Sequence, residues 1–338
     1  MREPAFWYRP RSPKSHLLRP LGALYGAITA RRMARPGFDA GIPVICVGNY
    51  HVGGAGKTPT VLALTKLLRG LGETPVVLSR GYGGRLTGPV MVDRERHTAS
   101  DVGDEPLMMA RDVPVTVARD RLDGVALAKS QGATVILMDD GFQNPTLLKD
   151  ASLIVIDSER GLGNGRVFPA GPLRAPLQAQ LARTDALVLI GDGHAADDVA
   201  AELARRNKPE LRARLKPDAA TVARLFGKRV FAFAGIGDPE RFFRTLRASG
   251  IVVARTRPFA DHHVFSHDEI AALGAEAQRE QLTLVTTEKD LARLRGRDDV
   301  PGDIVPFAVQ LEFDDPAKLR QLIGDHLYKA RERRFSTR

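Results

Sequence analysis

The chain has 338 residues, of which 43% are hydrophobic and 27% are charged. This balance is typical of a folded globular protein and excludes a disordered chain, a collagen-like repeat and a polytopic membrane protein. The length predicts two domains and leaves enough residues for a sizeable core. Cys46 is the only cysteine, which excludes an intrachain disulfide and a cysteine-cluster zinc site and favours a reducing, cytoplasmic compartment.

The net charge of +10 is concentrated at the two ends of the chain. Residues 1–35 contain eight lysines and arginines against one glutamate, and residues 328–338 contain five against one glutamate, so that the body between them is close to neutral. Basic ends on a neutral body favour contact with an anionic membrane. A nucleic-acid-binding protein that uses these termini is a rival interpretation, but the body has no interleaved aromatic and basic residues for base stacking. We expect no nucleic-acid partner.

The first element, within residues 1–35, is predicted to be a basic amphipathic helix that lies on a membrane surface. Apolar side chains recur at helical spacing over residues 17–28, with arginines on both sides and with Trp7 and Tyr8 upstream. The uninterrupted apolar stretch, residues 21–30, has about half of the roughly 20 residues that a spanning helix needs. The alternative is a terminal helix that packs on the domain.

Short apolar runs rich in β-branched residues alternate with helical stretches from residue 42 onward. The first set of predicted strands is 42–47, 75–78, 114–117, 134–138, 153–156 and 186–190. A polar, basic stretch over residues 202–216 precedes a second set, which is 229–234, 251–254, 282–286 and 304–309. This alternation predicts an α/β protein with mostly parallel sheets covered by helices. The predicted units are 1–35 for the membrane helix region, 36–224 for the first domain, 225–327 for a smaller α/β domain and 328–338 for a basic tail that frays.

A glycine-rich turn directly follows the first predicted strand and precedes a helical run. Backbone N–H groups of such a loop, together with the positive end of the following helix, hold phosphate oxygens. Lys57 would reach the β- and γ-phosphates, and Thr58 would hold Mg²⁺. The predicted nucleotide-binding residues are Gly53, Gly54, Ala55, Gly56, Lys57, Thr58 and Pro59. The match to G-x-x-x-x-G-K-[ST] is imperfect, since His51 stands where the first glycine belongs.

Two carboxylates end an apolar strand further along the chain. Asp139 and Asp140 follow the run of residues 135–138, as the acid of a Walker B motif does, and are predicted to hold the metal together with Thr58. An Asp-Asp-Gly turn alone is equally compatible with a solvated turn, and the upstream loop favours the metal role. The order of strand, loop, helix and acidic strand predicts a P-loop NTPase-like α/β/α domain.

Adenine nucleotide is favoured because two signatures of other P-loop classes are absent. Partitioning-type ATPases carry a lysine just before the paired glycines, where this chain has Val52. Guanine-specific GTPases use [NT]-K-x-D, whereas Lys289 and Asp290 are adjacent here. The sequence therefore predicts ATP and Mg²⁺ as cofactors.

Several short motifs, in order, resemble those of the tetraacyldisaccharide 4'-kinase family, the lipid A kinases. They are Val47-Gly48-Asn49 with residues 53–58, Ser79-Arg80-Gly81-Tyr82-Gly83, Val102-Gly103-Asp104-Glu105-Pro106, Asp139-Asp140-Gly141-Phe142-Gln143, Gly171-Pro172-Leu173-Arg174, Asp261-His262-His263 and Thr287-Glu288-Lys289-Asp290. The resemblance extends from the N-terminal helix to about residue 325. It implies phosphorylation by ATP and Mg²⁺ of the 4'-hydroxyl of an anionic acylated disaccharide lipid, tetraacyldisaccharide 1-phosphate, at the cytoplasmic face of the inner membrane. No obligate protein partner is evident.

The resemblance also implies the catalytic residues. Asp104 would accept the proton of the attacking hydroxyl, and His262 from the second domain would orient it, so that domain closure assembles the site. Lys57 and Arg174 would neutralise phosphate charge, and Glu105 would join the metal ligands. Arg80 is a further candidate for phosphate contact.

Some positions depart from the family pattern or have a purely structural explanation. Asn144 and Ala175 replace the usual histidine and glutamate, and His51 replaces a common serine. His263 and His267 have the spacing of a helical zinc pair, but Ser266 with Glu269 predicts a capping box that starts the helix between them. Residues 287–290 are predicted to cap a helix or to hold the domains together.

Two further alternatives remain. For the function, the alternative is a soluble P-loop NTPase that acts in metallocentre or cofactor assembly and hydrolyses ATP without a lipid acceptor. For Asp104 and Glu105, the alternative is a structural role, because acids before a proline favour the start of a helix.

Overall fold

The computed structural model describes residues 4–9, 12–298, 300–301 and 303–336. Its strands are β1 Val44–Gly48, β2 Pro75–Ser79, β3 Val90–Met91, β4 Val115–Val117, β5 Val135–Asp139, β6 Ala151–Asp157, β7 Ala186–Ile190, β8 Glu210–Pro217, β9 Arg229–Ala234, β10 Val252–Pro258, β11 Thr283–Thr287, β12 Val305–Phe307 and β13 Val309–Phe313. Its α-helices are α1 Pro13–Leu17, α2 Arg19–Met33, α3 Lys57–Gly70, α4 Ala99–Val102, α5 Asp104–Met109, α6 Arg121–Ser130, α7 Leu177–Leu181, α8 Asp197–Arg205, α9 Ala219–Leu225, α10 Pro239–Ala248, α11 His267–Glu280, α12 Glu288–Leu294 and α13 Pro316–Ser336. A 3-10 helix, Ala5–Tyr8, precedes them.

A nine-stranded sheet forms the larger body, in the order β13-β8-β7-β6-β1-β5-β2-β4-β3. Its pairs are parallel except those of β3 and β13 at the two edges. The central strands are continuous buried apolar runs because helices cover both faces, with α3 and α13 on one face and α6 and α8 on the other. The predicted α/β/α class is confirmed. Strand β1 lies between β5 and β6, so that the chain continues to one side of β1 through β5 and to the other side through β6. Ligands of open α/β sheets bind at the carboxyl ends of the strands where the strand order reverses in this way.

A four-stranded parallel sheet, in the order β10-β9-β11-β12, forms the smaller body. Phenylalanines of β9 alternate with small residues, and Phe231 and Phe233 face α11 while Ala232 and Ala234 face α10. This alternation places a helix on each side of the small sheet.

The carboxyl-terminal part of the chain differs from the predicted units. Strand β13 pairs antiparallel with β8 of the large sheet, and α13 buries Ile323 and Leu327 beside α3. The predicted small domain, 225–327, therefore extends too far, because apolar residues after position 308 complete the first sheet. The predicted tail is also wrong as a fraying segment: residues 328–336 continue α13, with Ala330 buried and Arg334 paired to Asp150 at 3.0 Å.

The polar stretch predicted between the two strand sets also contains regular structure. Its second half is β8, in which Leu211 and Ala213 are buried and the alternate side chains are charged. The charged residues concealed this strand because β8 buries only one face on the core.

The N-terminal helices pack on the domain and at the same time expose apolar side chains. Gly22 and Gly26 of α2 face residues 167–176, and a Cβ at Gly22 would lie 2.9 Å from the Val167 carbonyl oxygen. Leu21, Leu24 and Ile28 of α2 are exposed, as is Leu17 of α1, while the partly exposed Tyr25 contacts the Phe168 ring of the domain. Within the described residues, no helix has both the length and the apolar character that a membrane span requires. The packing alternative thus holds for one face of α2.

Candidate active site

The glycine-rich loop occupies the carboxyl end of β1. Gly53 and Gly56 have φ of 107° and 89°, which favours glycine, and α3 begins immediately afterwards at Lys57. A Cβ at Gly56 would lie 2.4 Å from the Ile190 Cδ1 atom, so an added side chain would also have to displace the end of the Ile190 side chain. Thr58 is buried in the first turn of α3, and Pro59 follows it there, where proline is tolerated. The N-terminus of a 14-residue helix therefore lies at the loop, and such a helix end attracts anions.

His51 is a buried residue near the start of this loop, and the sequence alone did not indicate its role. Its Nδ1–H donates to the Val52 carbonyl oxygen at 2.9 Å, which leaves Nε2 as an acceptor. Nε2 is buried and has no hydrogen-bond partner in the described part of the chain. Burial and nearby cations lower the pKa of His51 to about 4, so the ring is neutral. The ring therefore does not add charge to the phosphate site.

The two acids after β5 have different surroundings. Asp139, next to Val47 in the register, is buried and accepts from the Ser79 hydroxyl at 3.3 Å, while its Oδ1 has no partner among the described residues. Burial raises the pKa of Asp139, and the negative charges of Glu105 and Asp140 raise it further, to about 7. Burial also opposes ionisation of Asp140, but Lys57 and Arg174 outweigh it and lower that pKa to about 2.

Arg174 joins the loop to the second acid. Its Nη1 and Nη2 donate to the two carboxylate oxygens of Asp140 at 2.7 and 3.0 Å, and its Nε donates to the His51 carbonyl oxygen at 3.0 Å. Lys57 Nζ lies 3.8 Å from the same carboxylate. Asp140 thus already pairs with two cations that phosphates attract, and phosphate binding would compete for them.

These surroundings suit a magnesium ion at one acid better than at the others. The unpartnered, buried Oδ1 of Asp139 and the hydroxyl of Thr58 are oxygen ligands of the kind that Mg²⁺ takes, with phosphates and waters completing its shell. Glu105, by contrast, forms an ion pair with Lys289. Among the described residues, no group of three or more His, Cys, Asp and Glu side chains could hold a metal by itself.

Asp104 and His262, from different bodies, are brought together. Asp104 starts α5, and its Oδ1 accepts from the Glu105 N–H at 2.9 Å while its Oδ2 accepts from His262 Nδ1 at 3.1 Å. His262 has φ of 55°, and its N–H donates to the Gly235 carbonyl oxygen. Burial opposes ionisation of Asp104, but the hydrogen bond from His262 and the charge of Arg293 hold its pKa well below the usual range. The same hydrogen bond raises the pKa of His262.

Ion pairs connect the two bodies around this pair. Lys289 contacts Glu105, and Arg111 contacts Glu288 at 2.5 Å, so the 287–290 motif lies at the interface. A further ion pair between the two bodies joins Asp157, at the end of β6, to Arg241 of α10. Sequence reasoning missed Arg293, which contacts Asp104. Its position four residues after Lys289 on α12, and so on the same helical face, was the available signal.

The remaining singled-out residues take structural positions. The Asn144 side chain accepts from the Thr146 N–H at 2.8 Å, and Ala175 is buried. His263 donates to Glu269, and Ser266 with Glu269 forms the predicted capping box. Arg80 is exposed.

A glycine-rich loop between a buried parallel strand and a helix, with an acid on the adjacent strand, defines the class of P-loop nucleotide-binding proteins. Comparisons with known proteins narrow the class. A family model described as tetraacyldisaccharide-1-P 4'-kinase matches residues 14–328, and the chain belongs to this family. It is a kinase, and the alternative of a cofactor-assembly NTPase is not favoured.

Relatives and a solved structure agree with this assignment. A tetraacyldisaccharide 4'-kinase of Bradyrhizobium diazoefficiens is 89% identical over 338 residues, covering 100% of both chains. One of Nitrobacter winogradskyi is 66% identical over 334 residues, covering 98% of this chain and 99% of its own. The crystal structure of "apo" form LpxK from Aquifex aeolicus in complex with ATP superposes with a TM-score of 0.73 at 27% identity, covering 93% of this chain and 99% of its own.

Proposed function

We propose that the chain transfers the γ-phosphoryl group of ATP to the 4'-hydroxyl of tetraacyldisaccharide 1-phosphate, forming lipid IVA. The observation that carries the proposal is the contact between Asp104 and His262 across the two bodies, in a chain whose relatives are named for this activity. A carboxylate held where the two bodies meet suits transfer to a hydroxyl, whereas hydrolysis alone needs no acceptor site.

The glycine-rich loop binds the triphosphate in this proposal. The N–H groups of residues 53–58 and the N-terminus of α3 hold the phosphate oxygens, and Lys57 neutralises charge on the transferred group. Thr58 and Asp139 would hold Mg²⁺, which neutralises phosphate charge when it is bound. Binding of phosphates would draw Lys57 away from Asp140 more readily than Arg174, because Lys57 Nζ lies 3.8 Å from that carboxylate whereas Arg174 donates two hydrogen bonds to it.

Asp104 orients the acceptor hydroxyl and takes its proton. As the new O–P bond forms and the bond between the γ-phosphorus and the bridging oxygen breaks, ADP leaves and the hydroxyl proton passes to the carboxylate. The low pKa of Asp104 makes it a weak base, which suffices because the loose transition state of phosphoryl transfer needs little proton removal before bond formation. His262 orients the carboxylate through its Nδ1–H.

The N-terminal helices would hold the enzyme on its lipid substrate at the cytoplasmic face of the inner membrane. Leu17, Leu21 and Leu24 expose 57–81% of their surface on helices α1 and α2. Arg31 and Arg32 lie in the last turn of α2, where they suit anionic lipid headgroups. Exposed apolar side chains beside arginines are typical of a helix that lies in the membrane interface.

The proposal is tested by transfer of radiolabelled γ-phosphate from Mg-ATP to detergent-dispersed tetraacyldisaccharide 1-phosphate. We expect a doubly phosphorylated lipid with the unmodified chain and none with Lys57→Ala. Lys66→Ala, on the exposed part of the same helix, is the matched control and should retain transfer. ATP hydrolysis that is indifferent to lipid, with no lipid product, would contradict the proposal.

A further inference from the structure

Arg293 lies at the centre of the contact between the two bodies. Its side chain is only 9% exposed, and the Asp104 side chain 5%. Arg293 Nε and Nη2 both donate to Asp104 Oδ2, at 2.8 and 2.5 Å. Its Nη1 donates to the Gly235 carbonyl oxygen and to Asp290 Oδ1, each at 2.7 Å. One guanidinium group therefore binds the predicted base on one body and two anchors on the other.

The same contacts reach His262. The Gly235 carbonyl oxygen accepts from Arg293 and also from the backbone N–H of His262 at 3.0 Å. The Asp104 Oδ2 atom likewise accepts from Arg293 and from His262 Nδ1. His262 has a positive φ, a conformation that persists only where surrounding contacts hold it. Arg293 thus shares one acceptor with the backbone and one with the ring of His262.

Asp290, one of the two anchors of Arg293, is itself held by hydrogen bonds. Asp290 is fully buried, and its Oδ1 accepts from the Gly235 N–H at 3.1 Å while its Oδ2 accepts from the Thr287 hydroxyl at 2.6 Å. A planar guanidinium can reach a carboxylate on one edge and a carbonyl oxygen on the other, whereas an ammonium group is a single point of charge. The site therefore requires arginine for its shape as well as its charge.

We propose that Arg293 is a positioning residue, which sets Asp104 and His262 in the geometry for phosphoryl transfer when the smaller body closes on the larger body. This inference rests on the proposed function, because it assigns Arg293 a role toward the proposed base. It goes beyond an ordinary interdomain ion pair: Arg111 with Glu288 also joins the bodies, but Arg111 is 44% exposed and contacts neither Asp104 nor His262.

Kinetics of Arg293→Lys and Arg293→Ala test the inference, with Arg111→Gln as the matched interdomain control. Because small misplacements of reacting groups cost about 100-fold in rate, we expect kcat to fall by about that factor in both Arg293 variants. The KM for ATP should stay within about twofold of that of the unmodified chain, since the partners of Arg293 are Asp104, Gly235 and Asp290 and not residues of the glycine-rich loop. Added methylguanidinium should restore part of the kcat of Arg293→Ala, and Arg111→Gln should retain kcat. Unchanged kcat in Arg293→Lys, or an equal loss in Arg111→Gln, would overturn the inference.

A second measurement does not depend on activity. In protein labelled with ¹⁵N-histidine, the proton on His262 Nδ1 should give a downfield NMR signal, assigned by its loss in His262→Gln. We expect Arg293→Lys to remove or shift this signal and Arg111→Gln to keep it. An unchanged signal in Arg293→Lys would show that Arg293 does not position the pair. Failure of the unmodified chain to phosphorylate lipid would instead contradict the proposed function, and the NMR result would still decide on Arg293.

Discussion

Replacement of Gly22 by leucine should detach the N-terminal helices from the domain. A Cβ at this position already lies 2.9 Å from the Val167 carbonyl oxygen and 3.4 Å from the Ala170 Cβ, so a larger side chain cannot be accommodated without moving α2. The contacts that would be lost include burial of Trp7, its Nε1–H bond to the Pro169 carbonyl oxygen at 3.1 Å and the bond from the Ser15 hydroxyl to the Ala170 carbonyl oxygen at 2.6 Å.

These contacts allow the size of the effect to be worked out. Burial of a large side chain such as Trp7 stabilises by about 2–3 kcal/mol. The two side-chain hydrogen bonds add about 1 kcal/mol each. Docking of the N-terminal segment is therefore stabilised by on the order of 4–5 kcal/mol of contacts, before the entropy of ordering the segment is subtracted. Gly22→Leu should remove most of this, while the two sheets remain folded.

Trp7 is the only tryptophan of the chain, so its fluorescence reports docking directly. Its emission should shift to longer wavelengths in Gly22→Leu as the ring, now 4% exposed, enters water. Leu24→Gln on the exposed face of the same helix is the control: it should weaken binding to anionic vesicles and leave the emission unchanged. An unshifted emission in Gly22→Leu would refute the docking argument.

Three other outcomes are expected. Asp104→Ala should lose most turnover in the lipid phosphorylation assay while circular dichroism stays native, and near-normal turnover would remove its assignment as the base. Deletion of residues 328–338 should lower the thermal unfolding temperature, because it removes buried Ala330 and the Arg334 ion pair; an unchanged temperature would support the fraying tail. The pKa of His262 is raised by Asp104, so its ion pair stabilises fully below the ordinary value of about 6.5 and is lost as the pH rises through the raised pKa. His262→Gln should flatten that decline in unfolding temperature, and an unaltered pH dependence would count against the pair.

Local order along the chain was enough to predict where the glycine-rich loop lies. The loop of residues 53–58 lies between a strand and a helix, and short-range apolar patterns and glycines define both. The position of Asp139 at the end of a buried strand was predictable for the same reason, because the apolar run before it is local in the chain. The predicted meeting of Asp104 and His262 came from resemblance to a family, because nothing in local spacing relates residues 158 positions apart.

The sequence by itself determined the α/β class, the position of the glycine-rich loop and the strand that ends in two acids, because each depends on residues close together in the chain. Only the tertiary structure decided that β13 and α13 return to the first sheet, since strand pairing with β8 is a long-range choice. The tertiary structure also decided which charged side chains pair with each other: Glu105 pairs with Lys289, and Arg293 contacts Asp104, which is 189 positions away in the sequence. Such pairs follow from how the two bodies approach each other, and the sequence offered only indirect signals for that approach, namely the 287–290 motif and the position of Arg293 on the same helical face as Lys289.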